Sequence, residues 1–113
     1  MAEIGPDADL SFQSFVGRDL RGVDLSGANL RRAILDGADL EGANLSGANL
    51  QNASMIGTNA MKAAFDNADL RNIKAKKARF GLANILYNEQ NYKNSKDNLF
   101  AIIDQDPTFI KAY

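Results

Sequence analysis

The chain contains no cysteine, no histidine and no tryptophan. Without cysteine there is neither a disulfide framework nor a thiolate nucleophile, and the redox compartment leaves no trace in the composition. Without histidine the commonest general base and the commonest metal ligand are missing, so neither a metal site nor a cofactor is expected. No charge of one sign dominates: 13 Lys plus Arg stand against 14 Asp plus Glu, which argues against a nucleic-acid binder and against a polyanion alike. No apolar run approaches the ~18 residues that would cross a bilayer. The first residues, Met-Ala-Glu-Ile-Gly-Pro-Asp, lack the basic start and apolar stretch of a secretory signal. The expectation is a soluble, cytoplasmic protein with no membrane span, and 113 residues suit one compact domain with an appendage.

What the sequence does have is a period of five. Leu or Phe recurs at Leu10, Phe15, Leu20, Leu25, Leu30, Leu35, Leu40, Leu45 and Leu50; Met55 and Ala60 keep the register, and Phe65 and Leu70 close it. Two residues before each centre stands a small residue, most clearly Ala28, Ala33, Ala38, Ala43, Ala48, Ala53, Ala63 and Ala68. Just before many centres stands Asp or Asn, as at Asp24, Asn29, Asp39, Asn44, Asn49 and Asp69. Two residues after the centres, from Gly17 to Asn72, ten of twelve positions are Gly or Asn, the exceptions being Arg32 and Lys62. Gly and Asn take positive φ most cheaply. A column of them would badly weaken a helix but suits a corner recurring every five residues. Five matches neither the 3.6 of a helix nor the 2.0 of a strand, so short extended pieces joined by regular corners are implied.

Ala-Asp-Leu-Glu-Gly (38–42) and Ala-Asn-Leu-Ser-Gly (43–47) closely resemble the motif of pentapeptide-repeat proteins, and the resemblance runs over roughly residues 8–72. It implies an all-β solenoid, a right-handed quadrilateral β-helix with four pentapeptides per coil, the central Leu or Phe and the small residue two before it both pointing inward. The solenoid is expected over residues 1–75. A single coil cannot bury its own Leu residues, whereas stacked coils share one apolar column. Gln13 and Arg18 occupy the small inward slot, which places an open end there.

Residues 76–113 read differently. At Lys77, Leu82 and Tyr87 the corner column no longer holds turn residues, although Ala78-x-Phe80 and Ala83-x-Ile85 still follow the five-residue register. Leu82, Ala83, Leu86, Tyr92, Ser95, Leu99, Ile102 and Pro107 are similar in spacing to a tetratricopeptide repeat. That resemblance implies a C-terminal α-helical hairpin, while a single capping helix after a longer coil is the other reading. The repeat register leaves the end of the β-helix open between residues 73 and 87.

The same columns bear on function. Asp9, Asp19, Asp24, Asp36, Asp39, Glu41, Asp66 and Asp69 fall on outward positions of a convex surface, where they solubilise the rod and bond its corners, so no catalytic residues are expected. Some members of the resembled family mimic duplex DNA to modulate a type II topoisomerase. Residues 1–75 carry ten acids against seven bases, too weak a negative field for that role, and the rod is short. The basic run Arg71, Lys74, Lys76, Lys77, Arg79 reads as a solvated junction. Val16, Ile34, Ile56 and Met61 are apolar at outward positions and are the candidate protein contact, unless the chain's own tail covers them. The expected function is a noncatalytic protein–protein interaction scaffold for a protein partner of unknown identity. Homodimerisation through a solenoid end or the C-terminal helices is the expected self-association.

Overall fold

The computed structural model describes residues 3–81 and the backbone of residues 110–111. Parallel bridges join each face to the same face one coil later, always 20 residues on: Asp9 to Asn29 to Asn49 to Asp69, Ser14 to Ile34 to Ser54 to Lys74, Asp19 to Asp39 to Asn59, and Asp24 to Asn44 to Ala64. With a corner every five residues, a 20-residue coil has four sides. The columns beginning at Asp9, Ser14, Asp19 and Asp24 are called here the first, second, third and fourth faces; the second and fourth lie opposite each other.

The backbone reason for this shape is local. Each centre's carbonyl accepts the N–H three residues on, as from Ala28 to Leu25 at 3.1 Å and Ala48 to Leu45 at 3.0 Å. The third residue of each such turn takes positive φ, the type II arrangement. All twelve corner positions from Gly17 to Asn72 do so, with Asp7, Phe12 and Lys77 extending the column at both ends. Between corners the extended residues pair with the neighbouring coil: Leu30 N–H donates to Asn49 at 2.7 Å, while Asn49 N–H donates back to Ala28 at 2.9 Å.

The core is the pair of inward columns. Leu30, Leu35, Leu40, Leu45, Leu50 and Met55 are fully buried, as are the alanines from Ala28 to Ala53. Each such Leu contributes about 1.5–3 kcal/mol. Thr58 takes one alanine slot, and its hydroxyl is satisfied by donating to the Leu35 carbonyl at 2.6 Å. Gln13 is half-buried and Arg18 exposed in the first coil, where the inward slots open to solvent. Arg18 lays its guanidinium 5.9 Å from the Phe15 ring centre. The undersized centre Ala60 pairs in register with Phe80 one coil on, and the Phe80 ring packs against Phe65 with centroids 5.5 Å apart.

The path does not leave the solenoid at residue 75. Lys77 adopts φ 61° at a further corner, and Ala78 and Phe80 are buried as a small slot and a centre. The expected helical segment therefore does not begin at 76. A lysine suffices at that corner because one ordinary side chain in the left-handed region costs only about 1–2 kcal/mol, which a packed coil offsets. Three short strands are regular enough to number: β1 (Asn59–Ala60), β2 (Arg79–Gly81) and β3 (Ile110–Lys111). They form one parallel sheet in the order β1-β2-β3. The pairing of Ile110 with Phe80 and of Lys111 with Gly81 puts residues 110–111 in a strand, where the tetratricopeptide-like reading expects the start of a helix. No helix occurs among the described residues; the rest of the expected hairpin or capping helix, 82–109, lies outside them. No helix long and apolar enough to cross a membrane occurs among the described residues.

Candidate functional site

On three of the four faces an Asp or Asn before the centre closes its own corner, with Ala64 and Arg79 the exceptions. Asp9, Asn29, Asn49 and Asp69 on the first face accept the N–H two residues on at 2.9–3.2 Å. Asp19, Asp39 and Asn59 on the third face, and Asp24 and Asn44 on the fourth, do the same. These are Asx-turns, in which a short side chain mimics a backbone acceptor. Several also carry a second bond: Asp24 takes the Ser26 hydroxyl at 2.6 Å, and Arg21 forks onto Asp19 with both bonds at 2.8 Å. The Arg21 side chain, and then its backbone N–H, hold the Asp19 carboxyl down to about 2. Asp9 and Asp24 are lowered by the serine hydroxyl two residues on, and Asp69 by the Arg71 side chain. These carboxylates are thus held ionised, Asp9, Asp19 and Asp24 on exposed positions and Asp69 half-buried, the reverse of what a general acid needs.

The second face departs from the repeat in several columns at once. Before its centres stand Ser14, Ile34, Ser54 and Lys74, with no Asp or Asn among them. In the turn after Ser54 the cap is supplied from outside: Asp36, one coil earlier, accepts the Ile56 N–H at 3.0 Å and the Ser54 hydroxyl at 2.6 Å. The corner leading into this face is Phe12, Arg32, Asn52, Asn72, all at positive φ and none of them glycine. Every other corner column holds at least two glycines. The Arg32 guanidinium sits 5.8 Å from the centre of the Phe12 ring. A bulky residue such as Phe12 in the left-handed region is an outlier that the fold must support.

Shape follows from these departures. Phe12, Arg32, Asn52 and Asn72 form one wall of a groove of about 560 Å³, with Ile34, Asp36, Ser54 and Lys74 along its other side. The surface is therefore not uniformly convex, as the repeat alone implies. All the large apolar residues that are exposed among the described residues border this same face: Phe12, Val16, Ile34 and Ile56. Phe12 is 64% exposed and Val16 59%.

Of the sequence-predicted contact residues, Val16, Ile34 and Ile56 thus fall on the second face. Met61 lies around the next corner on the third face and is half-buried. The strip is not continuous, because Asp36 stands between Val16 and Ile56 in their column. Phe12 and Asp36 were not among the sequence candidates. Extending the corner column one unit before Gly17 would have exposed Phe12 as an anomaly; no local signal marks Asp36 as the cap of another coil.

The Pentapeptide repeats family matches the chain in eight copies, over residues 7–42 and 38–74. The chain belongs to the pentapeptide-repeat family. Its solved relatives include a pentapeptide-repeat protein of the Arabidopsis thaliana thylakoid lumen, 35% identical over 57% of this chain and 52% of that one, with a TM-score of 0.46. A second is from the cyanobacterium Cyanothece 51142, 29% identical over 64% of this chain and 59% of that one, TM-score 0.33. A third, QnrB1, a plasmid-mediated fluoroquinolone resistance protein, is 20% identical over 73% of this chain and 53% of that one, TM-score 0.42. The pentapeptide-repeat chain thus spans only half to three-fifths of the length of these relatives. No curated protein is significantly similar to it in sequence.

Proposed function

We propose that this pentapeptide-repeat protein is a noncatalytic interaction scaffold that presents its second face to a protein partner. One observation carries the reading: all the exposed large apolar residues among the described ones converge on the face that also has the groove and the glycine-free corner. A cluster of exposed apolar residues interspersed with polar groups on one face is a recurrent mark of a protein contact. The remaining faces are mostly capped with Asp and Asn, a pattern that serves the fold and offers little to a partner. A DNA-mimicking role receives less support. Duplex DNA carries a charge per ~1.7 Å of axis, whereas the fourth face and its following corner offer only Asp7, Asp24 and Asp66 from the first coil to Phe65's coil.

The test is capture from source-cell extract with the whole chain, comparing Ile34→Asp on the second face with Ser46→Asp on the fourth. A partner lost with the first variant and kept with the second is the expected result. A partner indifferent to Ile34→Asp and lost with Ser46→Asp would move recognition to the opposite face.

A further inference from the structure

Two kinds of cation stand out among the described residues. Arg21 and Arg71 are tied into forked pairs with Asp19 and Asp69, two residues before each. Arg32 and Lys74, in contrast, line the groove of the second face and have no ion pair among the described residues. The groove's one carboxylate, Asp36, already has its Oδ1 bound by the Ser54 hydroxyl and the Ile56 N–H. Around the groove, the second face and its two corners carry Arg31, Arg32, Arg71, Lys74, Lys76 and Lys77 against Asp36 alone. The fourth face and its two corners carry Asp7, Asp24, Glu41 and Asp66 against Arg21 and Lys62. The chain as a whole is at −1, so this asymmetry comes from placement rather than composition.

We propose that the groove binds an extended, carboxylate-bearing segment of a partner protein, its acidic side chains toward Arg32 and Lys74 and its apolar ones on Phe12 and Ile34. This rests on the second face being the partner surface and adds the chemistry of what docks there. From Phe12 to Asn72 the wall spans four stacked residues and three steps of ~4.8 Å, a run of ~14 Å, which about four residues of extended chain at ~3.3 Å would cover. Cations and apolar groups interleave along that run, so both kinds of side chain have a counterpart. A bare polyanion is the poorer fit, because Asp36 sits in the groove and Phe12 and Ile34 offer it no charge. The corner supports the same assignment, since side chains stand where glycine would be cheaper, and those side chains are the groove's wall.

The experiment is an amide NMR titration of the whole chain with three probes. They are a peptide of about eight residues alternating Glu and Leu, its Lys and Leu counterpart, and an oligothymidylate of about eight nucleotides. The Glu–Leu peptide should shift the amides of Arg32, Ile34 and Lys74, weaken with added salt, and lose about tenfold or more in affinity when Arg32→Glu and Lys74→Glu are combined. Equal binding of the Lys–Leu peptide, shifts centred on another face, tighter binding of the oligonucleotide, or no binding of any probe would each overturn the proposal. The capture experiment does not depend on the partner's charge. A partner that needs Ile34 while the Glu–Leu peptide fails to bind would therefore overturn this inference and leave the scaffold reading standing.

Discussion

The carboxylate of Asp36 accepts the backbone N–H of Ile56 at 3.0 Å, from one coil to the next. It is the second face's substitute for an Asx cap, and it also takes the Ser54 hydroxyl at 2.6 Å. Asp36→Ala should cost about 1–2 kcal/mol in denaturant unfolding, by leaving two donors without their acceptor in a half-buried place. Asp36→Asn, which keeps an acceptor oxygen, should lose less. Neither should weaken the acidic peptide, because each removes the groove's only negative charge.

The glycine-free corner predicts a trade between stability and binding. Arg32→Gly should stabilise the fold by about 1 kcal/mol, relieving a side chain held at φ 59°. The same change should reduce affinity for the Glu–Leu peptide. At an ordinary corner the sign reverses: Gly47→Ala, at φ +69° with the Gly27 backbone 3.8 Å from the new methyl, should destabilise by about 1 kcal/mol. Thermal or urea unfolding of the two variants checks both directions.

Acid sensitivity follows from the Asx caps. The carboxyls of Asp9, Asp19, Asp24 and Asp69 are all lowered in the fold, Asp19 to about 2, by the hydrogen bonds they accept. A depressed carboxyl stabilises the folded state above its unfolded value of ~3.9 and loses that contribution as pH falls through the folded value. Unfolding free energy should therefore be flat from about pH 5 to 8, where the absence of histidine removes the usual titration. It should then fall between about pH 4 and 2. A midpoint that drops between pH 7 and 6 instead would show that other groups govern stability.

Arg18 sits over Phe15 in an inward slot of the first coil, a charge at the open end of an apolar column. Inward-pointing charge is one way a free strand edge is kept from pairing with another chain. Arg18→Leu should convert the N-terminal end into an adhesive one, visible by light scattering as concentration-dependent association. Lys62→Leu, at a side corner, should not have that effect.

The inward columns were plain in the sequence because burial and positive φ leave few residue choices: Leu10 through Leu70 and the Gly and Asn corners announced a turn every five residues, and the family resemblance implied the 20-residue coil that the bridges repeat. Lys77 misled because a corner can hold an ordinary residue when the neighbouring coil packs well, so composition alone placed the boundary too early. The groove was half legible. Val16, Ile34 and Ile56 stand out as apolar in polar columns, but Phe12 and Arg32 become neighbours only once residues 20 apart are stacked. Asp36 likewise acquires its role through a donor on a different coil, a relation that no window of a few residues contains.

The stacking rule has a consequence for how such a molecule changes by insertion and deletion. Adding or removing one pentapeptide keeps the core columns intact, yet turns everything beyond it by a quarter revolution. Five residues inserted between Arg32 and Lys74 would carry the lysine onto the third face and empty the groove, while the solenoid itself folded as before. Only a change of twenty residues, a whole coil, leaves each face's inventory aligned. The fold therefore tolerates slippage that the proposed binding surface does not, and the face pattern repeats only modulo twenty.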